Sequence, residues 1–315
     1  MTRYFRTCFA STVVVIFIIV SINGTKYWVF RDLHRIDHAV GVVTRLAEEK
    51  LTATRLDEID AFMLGDSSLG YGIDQELFSE ITNLRTLSLP LTGGHGLPGA
   101  LLQLRNLVGG IEENANIIFF FSVDALAWGE NPAGRFYMSA LPFEPALSVH
   151  GQIRLLIEYV RRLIDLKEAS RFIWDTIRGV DNSRITDQVR SHGYIASPGK
   201  IDLDAPHLKN YSIPEKIGST AYINEIGRVC SRYSLNCLYV FGPLMRAVMR
   251  DPAKEQRFYD SSKKVVESSG IRMVLDAPLP IDDAFRGDTP FHVSPAFRRQ
   301  FTEKYARLLV PYLRD

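Results

Sequence analysis

The stretch Ile59-Asp-Ala-Phe-Met-Leu-Gly-Asp-Ser-Ser-Leu-Gly-Tyr-Gly-Ile73 decides how the rest of the chain is read. It begins with a short apolar run, Ala61 to Leu64, of the kind shown by a strand buried on both faces. The run breaks at once into Gly65-Asp66-Ser67-Ser68. Gly70 and Gly72 follow, and then a helical pattern from Asp74 to Ile81. A strand, a sharp turn of small residues and a helix place a serine hydroxyl at the carboxyl end of a strand. Open α/β sheets bind ligands there. The same order sets the serine near a helix N-terminus, where free N–H groups and the helix dipole favour negative charge. An acyl-transfer nucleophile needs both.

Outward from this stretch, apolar runs alternate with helical patterns. The candidate strands are Ala61–Leu64, Arg85–Leu89, Asn116–Ser122, Asn236–Phe241 and Arg272–Asp276. Helical stretches are expected at about 74–82, 98–113 and 221–233, with a last helix over 295–313. Such alternation predicts an α/β domain, a parallel sheet with helices on both faces. The third and fourth strands are more than a hundred residues apart. Residues 126–219 are therefore read as a large insertion, part helix and part loop, covering the active edge. His150 to Ile177 carries its amphipathic pattern, and 181–219 is rich in Asp, Ser, Pro and Gly. Within it, Phe136, Tyr137 and Phe143 are candidates for stacking on sugar rings.

The N-terminus reads differently. Arg3 and Arg6 precede an uncharged run from Cys8 to Ile22. As a helix this run spans roughly 22 Å, short of the roughly 30 Å hydrocarbon core. Tyr4, Phe5, Tyr27 and Trp28 extend it as interfacial anchors. Residues 1–30 are read as an uncleaved signal-anchor, a transmembrane helix, because Ser21-Ile-Asn23 is a poor cleavage site. A cleavable signal peptide is the competing reading. Either places the remaining chain outside the cytoplasm; the anchor makes the protein single-pass with its N-terminus cytoplasmic. Residues 31–58 read as a helical stalk. His34 and His38 lie four apart on it, and a solvated helix face explains them without a metal.

Composition bounds the function. Of 315 residues, 46% are hydrophobic and 23% charged, enough for a sizeable core and too ordered a mix for general disorder. A net charge of +1 argues against a nucleic-acid binder relying on a strong positive field. Arg154, Arg161, Arg162, Lys167 and Arg171 read as a solvated face, with guidance of an anionic polymer as the alternative. The glycines of Gly93-Gly-His-Gly96 lack the Lys-Ser/Thr of a nucleotide-binding P-loop. No Cys/His spacing matches a zinc site, and no metal or cofactor is expected. Cys230 and Cys237 sit at the end of a helix and the start of a strand. A disulfide and two ordinary buried thiols are both open there, because spacing does not show whether the Cβ atoms face each other.

Gly65-Asp66-Ser67-Ser68 after an apolar strand resembles the first block of the SGNH, or GDSL, hydrolase superfamily. A second landmark of that family, a glycine after the second strand, is matched by the Gly93-Gly94 pair that ends Leu87-Ser-Leu-Pro-Leu-Thr-Gly-Gly94. The last landmark is an Asp and a His just before the final helix. Gly287-Asp-Thr-Pro-Phe-His-Val-Ser-Pro295 supplies Asp288 and His292 there. The resemblance covers roughly residues 58–315, with the parts in matching order. It implies a three-layer α/β/α flavodoxin-like domain over 59–315 with a five-stranded parallel sheet. It also implies a serine nucleophile at Ser67, a base at His292 and an orienting acid at Asp288. A serine hydroxyl needs such a base, and histidine titrates in the useful range. A carboxylate on the other ring nitrogen fixes the tautomer. The oxyanion donors implied are the backbone N–H groups of Ser67 and of Gly93 or Gly94, with Asn131 as a third candidate.

Two positions depart from the family pattern. Its Asp usually lies three residues before the His; here position 289 is threonine and Asp288 lies four before, with Asp282 and Asp283 as alternatives. Its Asn-bearing element after the third strand is replaced here by Phe121-Ser-Val-Asp124, which puts a carboxylate in that place. The pattern is more similar to a divergent, membrane-anchored branch of the superfamily, whose members move acyl groups on bacterial exopolysaccharides and cell-wall polymers. The expected function is thus an extracytoplasmic serine esterase or O-acyltransferase. Its expected partners are an acylated glycan or acyl donor, the membrane, and a membrane-embedded or polymer-export protein. The alternative from another class is a non-catalytic docking module on the same scaffold. A thioesterase or lipase for a membrane lipid is a third reading.

Overall fold

The computed structural model describes residues 11–21, 46–47, 49–93, 95–127, 149–150, 152–153, 156–157, 160, 201–203 and 206–313. The apolar runs become the inner strands of a sheet: β1 (Ala61–Gly65), β2 (Thr86–Pro90), β3 (Asn116–Phe121) and β4 (Asn236–Phe241). Every residue of these four strands is buried. A strand covered on both faces has no polar side, so its sequence runs apolar rather than alternating. The order is β2-β1-β3-β4-β6, all parallel, where β6 is Arg272–Met273. Flavodoxin-like folds share this order. The order reverses between β1 and β3, so the connections leaving their carboxyl ends run to opposite faces of the sheet, the place where such folds form a crevice.

Parallel neighbours require helical crossovers. Between β1 and β2 lie α1 (Ser67–Gly72) and α2 (Gln75–Thr82). α3 (Gly96–Leu107) links β2 to β3. The short α4 (Asp124–Ala127) runs into the predicted insertion, α5 (Pro206–Lys209) lies within it, and α6 (Thr220–Arg232) leads into β4. α7 (Pro252–Ser268) joins β4 to β6, and α8 (Arg298–Leu309) ends the fold. α2 packs on α8, while α6 packs on both α3 and α7. Right-handed crossovers put these two groups on opposite faces of the sheet.

Several predicted bounds shift, each for a local reason. The serine turn is itself a helix, α1, because Asp66 caps it; the sequence pattern had started the helix only at Asp74. α3 ends at Leu107, short of 113, where Gly109 and Gly110 weaken the helix. β6 stops at Met273 rather than Asp276, ahead of Pro278 and Pro280. The last helix is confined to α8, with 3-10 turns at Pro295–Phe297 and Val310–Tyr312 on either side. α7 was not foreseen. It is strongly polar and buries only Glu255, Phe258, Tyr259, Ser262 and Val266. Its start was nonetheless written in Asp251-Pro252: Asp251 accepts the Lys254 N–H at 2.9 Å, and proline occupies the first turn.

Cys230 and Cys237 are joined in a disulfide, S–S 2.04 Å with Cα atoms 6.2 Å apart. The bond ties the last turn of α6 to β4 across a reversal that includes Ser234 at φ 54°. Most of the predicted insertion, the stalk histidines and the basic set of 154–171 fall outside the described residues. The predicted span is described over 11–21, which is helical. Among the described residues no helix is long and apolar enough to cross a membrane.

Candidate active site

The position of Ser67 follows from the end of β1. Gly65 lies where a Cβ would come within 2.1 Å of the Phe120 carbonyl oxygen, so only glycine allows β1 and β3 to approach here. Asp66 then leaves the strand with extended backbone and caps α1. One of its oxygens accepts the Ser68 N–H at 2.8 Å and the Ser68 hydroxyl at 2.6 Å. The other accepts the Ser122 N–H at 3.0 Å and the Ser122 hydroxyl at 2.6 Å. Asp66 is 1% exposed. It therefore locks the start of α1 to the end of β3, and Ser67, one residue along, is held at the first position of the helix. Among the described residues no hydrogen bond takes up the Ser67 N–H, which is left at the helix N-terminus.

His292 arrives from the other end of the chain. A small parallel pair, β5 (Leu244–Met245) with β7 (Pro280–Ile281), lies beyond β4. From it the segment Arg286–Val293 folds into a closed loop. Arg286 and Val293 form an antiparallel bridge, and the Gly287 N–H donates to the His292 carbonyl at 2.7 Å. A Cβ on Gly287 would lie 2.8 Å from that same carbonyl oxygen. The Met245 N–H donates to the Pro290 carbonyl at 2.8 Å and fastens the loop to β5. The His292 N–H donates to the Thr289 carbonyl at 3.3 Å. Thr289 and Pro290 thus form the turn that lets a carboxylate four residues upstream fold back on the imidazole.

Three groups meet as a result. The Ser67 Oγ lies 2.9 Å from His292 Nε2, and Asp288 Oδ1 lies 2.7 Å from His292 Nδ1. The matching tautomer has Nδ1–H donating to Asp288 and Nε2 accepting from the serine hydroxyl. His292 is 6% exposed, while Ser67 and Asp288 are half-buried. Asp282 is instead exposed and paired with Arg246 at 2.8 Å. The Asp283 carbonyl accepts from Arg286. Asp288 is the acid of this arrangement.

The flanking loops contain groups whose roles the sequence did not disclose. After β2, the Leu91 N–H donates to the Gly65 carbonyl at 2.7 Å, and the next turn wraps around His95. The ring Nδ1 of His95 accepts the Thr92 N–H at 3.3 Å and lies 3.0 Å from the Thr92 hydroxyl. Burial pushes this imidazole down to about 4, so it stays neutral. The turn carries Gly93, which is half-buried; Gly94 and Asn131 lie outside the described residues. After β3, Asp124 is buried and its Oδ1 accepts the Tyr211 hydroxyl at 2.7 Å. Burial pushes this carboxyl up to about 6, against the Tyr211 hydrogen bond and with the repulsion of Asp66. The carboxylate is therefore engaged by a phenol. Tyr211 also meets Phe291, next to the base, edge to face at 5.7 Å. The Ile201 N–H donates to the Gly287 carbonyl at 2.7 Å, and Arg286 Nε donates back to the Ile201 carbonyl at 3.0 Å. The end of the insertion thus braces the loop that carries the base.

No family model matches this chain, and no match to it was found among curated proteins. Among the described residues no group of His, Cys, Asp and Glu could hold a metal ion.

Proposed function

We propose that this protein is an extracytoplasmic serine esterase or O-acyltransferase of the SGNH type, acting on an acylated glycan. The observation that carries the reading is the relay of Ser67, His292 and Asp288, with heavy-atom separations of 2.9 and 2.7 Å, at the carboxyl edge of a parallel sheet. These are hydrogen-bonding distances for a nucleophile, its base and the group that orients the base. His292 takes the Ser67 proton as Oγ bonds to the acyl carbon, and the carbonyl electron pair moves to oxygen. Negative charge then develops beside the N-terminus of α1, where the Ser67 N–H is available. The imidazolium returns its proton to the departing sugar oxygen as the acyl–oxygen bond breaks. Water resolves the acyl-enzyme in an esterase; a second sugar hydroxyl resolves it in a transferase.

One feature supports a place outside the cytoplasm and another supports membrane attachment. A disulfide persists in oxidising compartments. The apolar residues Val13 to Ile18 are all exposed on the helix at 11–21, a surface that a membrane would cover. The glycan class rests on the resemblance read in the sequence.

The test uses the full chain in detergent with p-nitrophenyl acetate, wild type beside Ser67→Ala and His292→Ala, and a fluorophosphonate that labels activated serines. Release is expected to fall by roughly three orders of magnitude in both variants, and labelling to depend on Ser67. Unchanged release in both would reject the serine mechanism. An unlabelled wild-type protein with a native melting transition would favour the docking-module reading. An acetylated oligosaccharide offered with and without a free acceptor then separates hydrolysis from transfer.

A further inference from the structure

We propose that Tyr71 is the positioning residue of the site, holding the His292 imidazole in line with Ser67. This rests on the reading of Ser67 as nucleophile. The two side chains are four apart on α1, so they share one face of that helix. Ser67 meets the edge of the imidazole through Nε2, while the Tyr71 ring stacks across its face with centroids 3.9 Å apart and planes 20° from parallel. One short helix therefore grips the base in two directions. The last torsion of a histidine is intrinsically broad, and rotation about it tilts both ring nitrogens out of line with their partners. A ring against its face removes that freedom.

Tyr71 is itself fixed from behind. Its carbonyl, at the C-terminal end of α1, accepts Arg298 Nε at 2.9 Å. Arg298 is 4% exposed and opens α8. A cation at that end satisfies a carbonyl without an intrahelical partner and complements the helix dipole. One turn along α8, the Thr302 hydroxyl accepts the Asp74 N–H at 3.0 Å. The helix that directly follows the His292 loop thus pins the helix that carries Ser67 and Tyr71.

The stack also has an electrostatic part. Burial pushes the Tyr71 phenol up to about 12, helped by the Asp288 carboxylate and opposed by Arg298. The ring stays neutral, and what it offers the imidazole is the negative face of its π system. Among the described residues, Asp288 meets the imidazole on Nδ1, Ser67 on Nε2 and Tyr71 across the face, with Arg298 behind Tyr71.

The experiment compares Tyr71→Leu and Tyr71→Phe in the full chain, with melting temperature recorded for each. Tyr71→Leu is expected to lower kcat about ten-fold with KM held within about two-fold. Tyr71→Phe, which keeps the ring, restores kcat. The His292 imidazole proton resonance, identified by its loss in His292→Gln, supplies a readout that needs no turnover. A ring stacked on the imidazole shields its carbon-bound protons, so that resonance is expected to move downfield in Tyr71→Leu alone. An unmoved resonance in Tyr71→Leu, or equal losses in the Leu and Phe variants, overturns the role of Tyr71. Absence of Ser67-dependent release with the resonance shift intact overturns the serine chemistry and leaves the stack standing.

Discussion

Asp66 is a single carboxylate with four donors on it, from Ser68 and Ser122. Its replacement shows what the site costs to build. Asp66→Ala strands two buried backbone N–H groups and two hydroxyls, and is expected to destabilise the protein by about 3–5 kcal/mol. Asp66→Asn keeps one accepting oxygen and is expected to cost about half as much. Chemical denaturation followed by near-ultraviolet circular dichroism measures both; equal, small losses would mean that the carboxylate does not join α1 to β3. The three side chains that meet, Ser67, His292 and Asp288, were legible as candidates because residue type and order along the chain carry the information: a serine after a strand, and an acid and histidine before the last helix. The extra residue at Thr289 left the acid undecided among Asp282, Asp283 and Asp288, since only the closed loop shows which carboxylate reaches the ring. Asp66 carried a readable sign as a helix N-cap, but its second half, the grip on Ser122, joins positions 56 apart and has no local signature. Tyr71 is similar: its spacing from Ser67 was visible, its partner was not.

At the scale of elements, what the sequence disclosed tracks burial. The four inner strands are apolar at nearly every position because helices cover both faces, so their runs stand out within a residue or so of their true ends. α7 was missed for the converse reason: one narrow buried stripe on a polar helix gives little contrast. β6 was read too long, because the apolar pattern runs on through Leu275 past the two residues that pair with β4. The disulfide lay between these cases, since its two cysteines were visible and their facing was not. It closes a reversal of eight residues between α6 and β4, for which chain-entropy arguments give about 2–3 kcal/mol of stabilisation. The paired substitution Cys230→Ala with Cys237→Ala is expected to lower the melting temperature by about 2–5 °C. Dithiothreitol should lower that of the wild type and leave the variant unchanged. A wild-type transition insensitive to reductant, with both thiols alkylated under native conditions, would show that the bond is not made.

Over the whole molecule, two buried titratable groups flank the relay and act on stability in opposite directions. Asp124, at the end of β3, is pushed from 3.8 to about 6. The native state therefore keeps its proton longer than the unfolded chain, and stability falls as pH rises from about 4 through 6. His95, in the turn after β2, is pushed from 6.5 to about 4. Here the unfolded chain binds the proton first, and stability falls as pH drops from 6.5 through about 4. The two windows nearly coincide, and each shift corresponds to on the order of 3 kcal/mol. In the wild type their slopes largely cancel, so these two loops contribute little net pH dependence. Asp124→Asn removes one side of the balance, because an amide oxygen can still accept from Tyr211 but does not titrate. The variant is expected to be more stable than wild type at pH 7, by on the order of 2 kcal/mol. It should then lose on the order of 2–3 kcal/mol relative to its own neutral value as pH falls from 6.5 to 4.5, with His95 left unopposed. Urea denaturation midpoints across that range decide the matter. A pH profile parallel to wild type would mean that Asp124 is not the group that offsets His95, and that the neutrality of the two loops beside Ser67 has another source.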